Sequence, residues 1–226
     1  MKYLVKIFIV FVGSIMAFDD LFAQNIGIKG GLNLSNMLFK EDGETYSDDF
    51  KMRPGFNIGA TAEFPLSEMF SFETGLLLST KGFNYSLEES EISESFKLES
   101  NINLLYLDIP IVAKSSFDLG YDKKIFATFG PYVGIGISGK SKIKMTYDGE
   151  TESDEETIEW GSDEESSDFK RLDFGLTIGA GVEFNSVLIG LNYSLGLANI
   201  SPNTDNGNMI NNRVLGLSVG YKFSRY

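Results

Sequence analysis

The chain has no cysteine and no histidine among its 226 residues, only five prolines and a single tryptophan. Without cysteine there is no disulfide framework, no thiolate metal site and no cysteine nucleophile. Without histidine the usual general base and the commonest metal ligand are missing. Positive charge is also scarce: 19 Lys and Arg stand against 32 Asp and Glu, a net charge of −13. A nucleic-acid binder needs basic surface to neutralise phosphates, so no nucleic-acid partner is expected. Neither G-x-S-x-G nor S-x-x-K occurs in a setting that would support a serine nucleophile. The run GIGISG at 134–139 lies on a glycine-faced strand with no helix after it, so it is not a phosphate loop. No catalytic residue, no cofactor and no enzyme activity are therefore expected. What the chain has in quantity is glycine (24) and phenylalanine (19).

Lys2 and Lys6 flank MKYLVK at the N-terminus, and residues 7–18 (IFIVFVGSIMAF) follow as an apolar run. That layout is a secretory signal peptide, shorter than the ~20 residues a membrane helix needs. Cleavage is expected after Ala23, giving a signal segment 1–23 and one mature domain 24–226.

Beyond residue 24 the dominant pattern is alternation, the period of a β-strand. Leu215, Leu217, Val219, Tyr221 and Phe223 interleave with Gly216, Ser218, Gly220, Lys222 and Ser224. Leu172, Phe174, Leu176, Ile178, Ala180, Val182 and Phe184 form one face of another strand, with Asp173, Gly175, Thr177, Gly179, Gly181 and Glu183 on the other. Strands are expected at 25–36, 53–64, 69–86, 98–115, 123–140, 170–184, 187–199 and 212–225. Their connections alternate between long and polar (37–52, 87–97, 141–169, 200–211) and short (65–68, 116–122, 185–186). Eight strands joined in this way predict an all-β fold, an eight-stranded antiparallel up-and-down transmembrane β-barrel.

The two faces decide what surrounds it. A soluble barrel turns its apolar face inward, whereas lipid around a membrane barrel inverts the arrangement. The polar face here carries Lys29, Glu63, Glu73, Lys81, Asp108, Arg171, Asp173, Glu183 and Lys222, together with many glycines. Glycine weakens a strand, so its concentration on one face calls for a steric reason, which a narrow interior supplies. Phe64, Phe70, Phe72, Phe184, Tyr221 and Phe223 fall near the short-turn ends of the apolar face, like an aromatic girdle at a membrane interface. Outer-membrane lipid is thus the expected surroundings. Five acids and four bases inside can pair with one another, which offsets desolvation. They suit either a proton or ion path or a polar plug, and eight strands, which normally enclose side chains, favour the plug.

Acid is concentrated in the long connections: 21 of the 32 acids lie in 40–53, 86–100 and 146–169, and the last of these has 11 with no Lys or Arg. A segment so charged is expected to stay solvated and mobile without a partner. Hard cations favour carboxylates, yet the spacing matches no calcium-loop pattern, so no metal site is assigned. Trp160 sits amid this acid, either as an incidental loop aromatic or as an anchor for a partner.

GIKGGLNLSNM at 27–37, FETGLLLSTKGF at 72–83 and LLYLDIPIVAK at 104–114 resemble the first, third and fourth strands of the PorT-like outer-membrane β-barrel family of Bacteroidetes. The terminal GLSVGYKFSRY resembles that family's closing strand, whose aromatic residues suit recognition by the barrel-assembly machinery. The resemblance implies a small barrel in the cell outer membrane, with its short turns in the periplasm. It also implies, as alternatives to a structural or surface-interaction role, an accessory part in type IX secretion with a secretion-complex partner. A narrow porin or transporter is the remaining alternative.

Overall fold

The computed structural model describes residues 25–45, 50–90, 95–148 and 150–223; the expected signal segment 1–23, with its expected cleavage after Ala23, lies outside the described residues. Eleven strands are present among them: β1 (Asn25–Glu41), β2 (Glu44–Thr45), β3 (Phe50–Lys51), β4 (Arg53–Pro65), β5 (Phe70–Ser90), β6 (Ser95–Gly120), β7 (Lys123–Tyr147), β8 (Glu150–Thr157), β9 (Leu172–Phe184), β10 (Val187–Gly196) and β11 (Met209–Phe223). Eight of these close a ring in the order β1-β4-β5-β6-β7-β9-β10-β11, and β11 pairs back onto β1. Every pairing in the ring is antiparallel. These eight coincide with the expected strands to within a few residues at most ends; β2, β3 and β8 are additions on the long-connection side.

The alternation in sequence becomes an alternation in exposure. Ile26, Ile28, Leu32 and Leu34 are exposed along β1, while Asn33 and Ser35 between and beside them are buried. The same holds for Leu215, Leu217, Val219, Tyr221 and Phe223 on β11, and for Phe174, Ile178, Val182 and Phe184 on β9. A surface of this kind costs free energy in water and none in hydrocarbon, so the ring is built to sit in lipid. At the short-turn end Phe64 and Phe72 lie 6.1 Å apart, and Tyr221 and Phe223 5.1 Å apart.

The inward glycines meet backbone more than lumen contents. A Cβ at Gly59 would lie 1.9 Å from the Leu76 carbonyl oxygen, and one at Gly175 2.0 Å from that of Leu195. The strong coiling of a small ring brings adjacent strands this close on the concave side.

β9 and β10, of 13 and 10 residues, have about the length a tilted strand needs to cross a bilayer, ~9–11 residues. β5, β6 and β7, of 21, 26 and 25 residues, run well past the ring. There the outward face turns polar, with Lys97, Lys140, Lys142 and Lys144. A register shift opposite Leu105 and Tyr106 inserts one extra residue in β7, which flips its side-chain parity above Gly136.

Candidate functional site: the charged interior and its lid

Going up from the short-turn end, a mouth cavity of about 250 Å³ is lined by Glu63, Glu183 and Lys222, three members of a ring of two lysines and two glutamates that Lys114 completes. Lys114 Nζ lies 3.0 Å from Glu63 Oε2 and 3.5 Å from Glu183 Oε2. Lys222 Nζ lies 3.2 Å from Glu63 Oε2 and 2.6 Å from Glu183 Oε1. Ser71 Oγ donates to Glu63 Oε1 at 2.7 Å, and Lys114 stands over the Phe126 ring at 4.8 Å. Charge in this ring balances, two against two. Each carboxylate takes two ammonium partners, the arrangement in which buried ions recover most of their lost hydration.

A looser pair, Lys29 with Glu73 at 3.9 Å, separates two small cavities of about 40 and 80 Å³. Above them is the second cluster. Lys81 Nζ, with a side chain only 2% exposed, is 2.8 Å from Asp108 Oδ1 and 2.9 Å from the fully buried Asp173 Oδ2. Tyr132 and Asn212 also donate to Asp173 Oδ2, at 3.2 and 3.0 Å. The rings of Tyr106 and Tyr132 lie 4.5 and 4.6 Å from the ammonium, adding cation–π attraction. One cation is thus held between two acids and two aromatic faces.

A lid closes the long-connection end. Ile158 and Phe169 are buried with Met37, Phe83, Ile102, Leu104, Tyr106, Ala198 and Ile200 in one apolar cluster, against which Trp160 packs. Trp160 meets Tyr106 edge-on at 5.5 Å and lies directly over Gly136, where a Cβ would come within 2.5 Å of its ring. The segment 158–169 therefore folds back into the ring, and its acids stay outside while Ile158, Trp160 and Phe169 go in. This corrects the expectation of a wholly solvated loop: three apolar residues anchor it. Among the described residues no group of three or more acids is arranged to hold a metal ion.

Of the nine interior charges expected from sequence, Lys29, Glu63, Glu73, Lys81, Asp108, Asp173, Glu183 and Lys222 make these ion pairs. Arg171 belongs to neither cluster. Its parity matches Asp173, but it lies just before β9 begins and is exposed at the rim, with Nη1 donating to the Gly136 carbonyl at 3.3 Å. Sequence reasoning missed Lys114, although it stands six residues from Asp108 on the same strand and so shares its face. Tyr132 and Asn212 were missed as well, because uncharged polar residues on an inward face are not distinctive.

The profile of the family described as outer membrane protein beta-barrel domain matches residues 22–201, four-fifths of the chain. The chain belongs to this family. It is an outer-membrane β-barrel, and the inverted faces and closed ring are what that family requires. Among solved structures it is similar to the attachment invasion locus protein Ail of Yersinia pestis, at 19% identity over 89% of this chain and 100% of that one, with a TM-score of 0.34. It is also similar to the outer membrane protein OprG of Pseudomonas aeruginosa, at 14% identity, 90% and 98% coverage and a TM-score of 0.43. Neisserial surface protein A is a third, at 13% identity, 88% and 97% coverage and a TM-score of 0.35. No curated protein matches the chain.

Proposed function

We propose that this barrel is a non-catalytic, non-conducting protein of the outer membrane whose work is done at its long-connection end, as a surface-interaction or structural element. The observation that carries this is the stacked closure of the lumen: the Lys114–Glu63–Lys222–Glu183 ring, the Lys81–Asp108–Asp173 cluster and the Trp160 lid lie one above another. An ion crossing the lumen would have to displace each buried pair in turn, and the cavities between them are too small to form a channel. Meanwhile the strands continue for many residues beyond the ring on the lid side, which in outer-membrane barrels faces outward.

Purified protein in planar bilayers tests this. Silent membranes at protein densities where a porin gives steps are expected; discrete conductance steps would replace this reading with the narrow-porin alternative. Residues 1–23 serve as the export signal in this scheme, so the mature protein should begin at Gln24 on N-terminal sequencing. The narrower PorT-like assignment rests on the strand segments 27–37, 72–83 and 104–114. Retention of normally exported cargo after deletion of the gene, with co-purification of a secretion complex, would support it.

A further inference from the structure

β8, like the two-residue strands β2 and β3, has only one neighbour, and at eight residues it is the longest strand of which this is true. It pairs with β7 from Lys140↔Thr157 to Tyr147↔Glu150, and its other edge has no partner among the described residues. Ile158 N–H donates to the Gly139 carbonyl at 3.0 Å, which sets the direction of the backbone groups along this hairpin. By strand alternation the even-numbered residues of β8 point their N–H and C=O toward β7. Thr151, Ser153, Glu155 and Thr157 point theirs at the open edge.

The two faces of the hairpin differ sharply. Gly139 faces the lid, against Ile158 and Leu104, so Ser141, Ile143, Met145 and Tyr147 share that face. Their partners on β8 are Glu156, Asp154, Glu152 and Glu150, four acids in an unbroken alternating row. Met145 and Tyr147 are 50% and 52% exposed beside them. The lysines of β7 (Lys140, Lys142, Lys144) all lie on the opposite face, where Lys140 pairs with Glu155. Among the described residues none of Glu150, Glu152, Asp154 and Glu156 has an ion-pair partner. Successive carboxylates on one face of a strand repel, and the exposed apolar row behind them weakens solvent screening.

We propose that the open edge of β8 is a docking site for an extended polypeptide segment bearing Lys or Arg at alternate positions, added as a further strand. Its backbone completes the hydrogen bonds offered by Thr151, Ser153, Glu155 and Thr157. Its alternate cations come to lie across from the acidic row. An anionic polymer is excluded by the same row, and a second copy pairing β8 to β8 would bring two such rows together. This rests on the reading above only in placing the lid side outward, and it names the class of partner.

The test uses the full mature protein folded in detergent micelles and a labelled octapeptide of alternating Lys and Thr, followed by fluorescence anisotropy at low salt. Its isomer with four lysines in a block is the control. The alternating peptide should bind several-fold more tightly than the block isomer, because it sets four lysines across from the acid row where the block isomer, with its lysines split between the two faces, sets two. The quadruple variant E150Q/E152Q/D154N/E156Q should lose that difference. Ser153→Pro should lose it too, because it removes an edge N–H without altering charge or the β7 pairing. Each variant is first shown to keep its heat-modifiable migration, so lost binding reports the edge and not the fold. Equal binding of both peptides, or unaltered binding by Ser153→Pro, would overturn strand addition. A peptide-independent dimer abolished by Ser153→Pro would assign the edge to a second copy and equally overturn it. Conductance is read separately: a conducting barrel that still prefers the alternating peptide sinks the sealed-lumen reading and leaves this surface standing.

Discussion

Lys81 has no room to be anything but charged and paired. Its ammonium is fixed between Asp108 and Asp173, and the aromatic walls of Tyr106 and Tyr132 leave water little access. Lys81→Met would leave two carboxylates facing one another without a counter-ion. A loss of about 3–5 kcal/mol is expected for removing one partner of a buried ionic cluster, read as a lowered urea or thermal midpoint in micelles. Neutralising the acids as well, in Lys81→Met/Asp108→Asn/Asp173→Asn, should recover most of that loss, because it is the stranded charge that costs stability. A single variant within about 1 kcal/mol of the natural protein would mean that the cluster is solvated, since exposed pairs contribute only that much. Gly136 is the other residue on which a whole feature depends. A side chain there competes with Trp160 for the same space, so Gly136→Leu should drive the indole out of the lid. The expected sign is red-shifted, more quenchable tryptophan emission with the heat-modifiable migration retained; unchanged emission would show that Trp160 does not seal the ring.

At the scale of elements, the eight ring strands were legible because each buries one face and exposes the other to lipid, and such a strand writes period two into hydropathy. β8 was not legible. Glu150, Glu152, Asp154 and Glu156 do alternate, but with Thr151, Ser153, Glu155 and Thr157, so no hydropathy contrast marks the strand. The lid escaped notice for a related reason: Ile158, Trp160 and Phe169 are too few among eleven acids to shift the local average, yet two buried side chains and the half-buried Trp160 suffice to anchor twelve residues. The interior charges were legible from parity alone, and parity also misplaced Arg171, because it says which face a residue is on and nothing about its height. Charge within the hairpin makes its own prediction. The Lys140 ammonium, hydrogen-bonded to the exposed Glu155 carboxylate, holds that carboxyl below its ordinary value. A depressed folded-state pKa stabilises the paired form above the ordinary carboxylate value and loses that contribution as pH falls through the folded one. Amide protection along β7–β8 should therefore include a Glu155-dependent part that disappears below about pH 4. Lys140→Gln should remove that part while leaving any acid-row repulsion in place; the same pH profile with and without Lys140 would count against the pair.

The whole molecule is closed by the two strands farthest apart in sequence. β1 and β11 pair over fifteen residue pairs, from Ile26↔Phe223 to Lys40↔Met209. No partial ring offers a stable resting point, because a missing strand leaves two edges of unpaired backbone in hydrocarbon, each group costing several kcal/mol. The apolar exterior and ion-paired interior also depend on one another: flattened in water, the sheet would expose the first, and flattened in lipid, the second. Unfolding should therefore be all-or-none and slow, with detergent resistance until heating supplies the barrier. On a gel the outer-membrane fraction should show a compact species when unboiled and a single slower or faster band once boiled. Removing β11 by stopping the chain after Asn208 should abolish the compact species altogether, although seven of the eight ring strands remain. A truncated chain that still ran as a heat-modifiable band would mean that the sheet holds together open, and ring closure would then not be what keeps the charged interior from lipid.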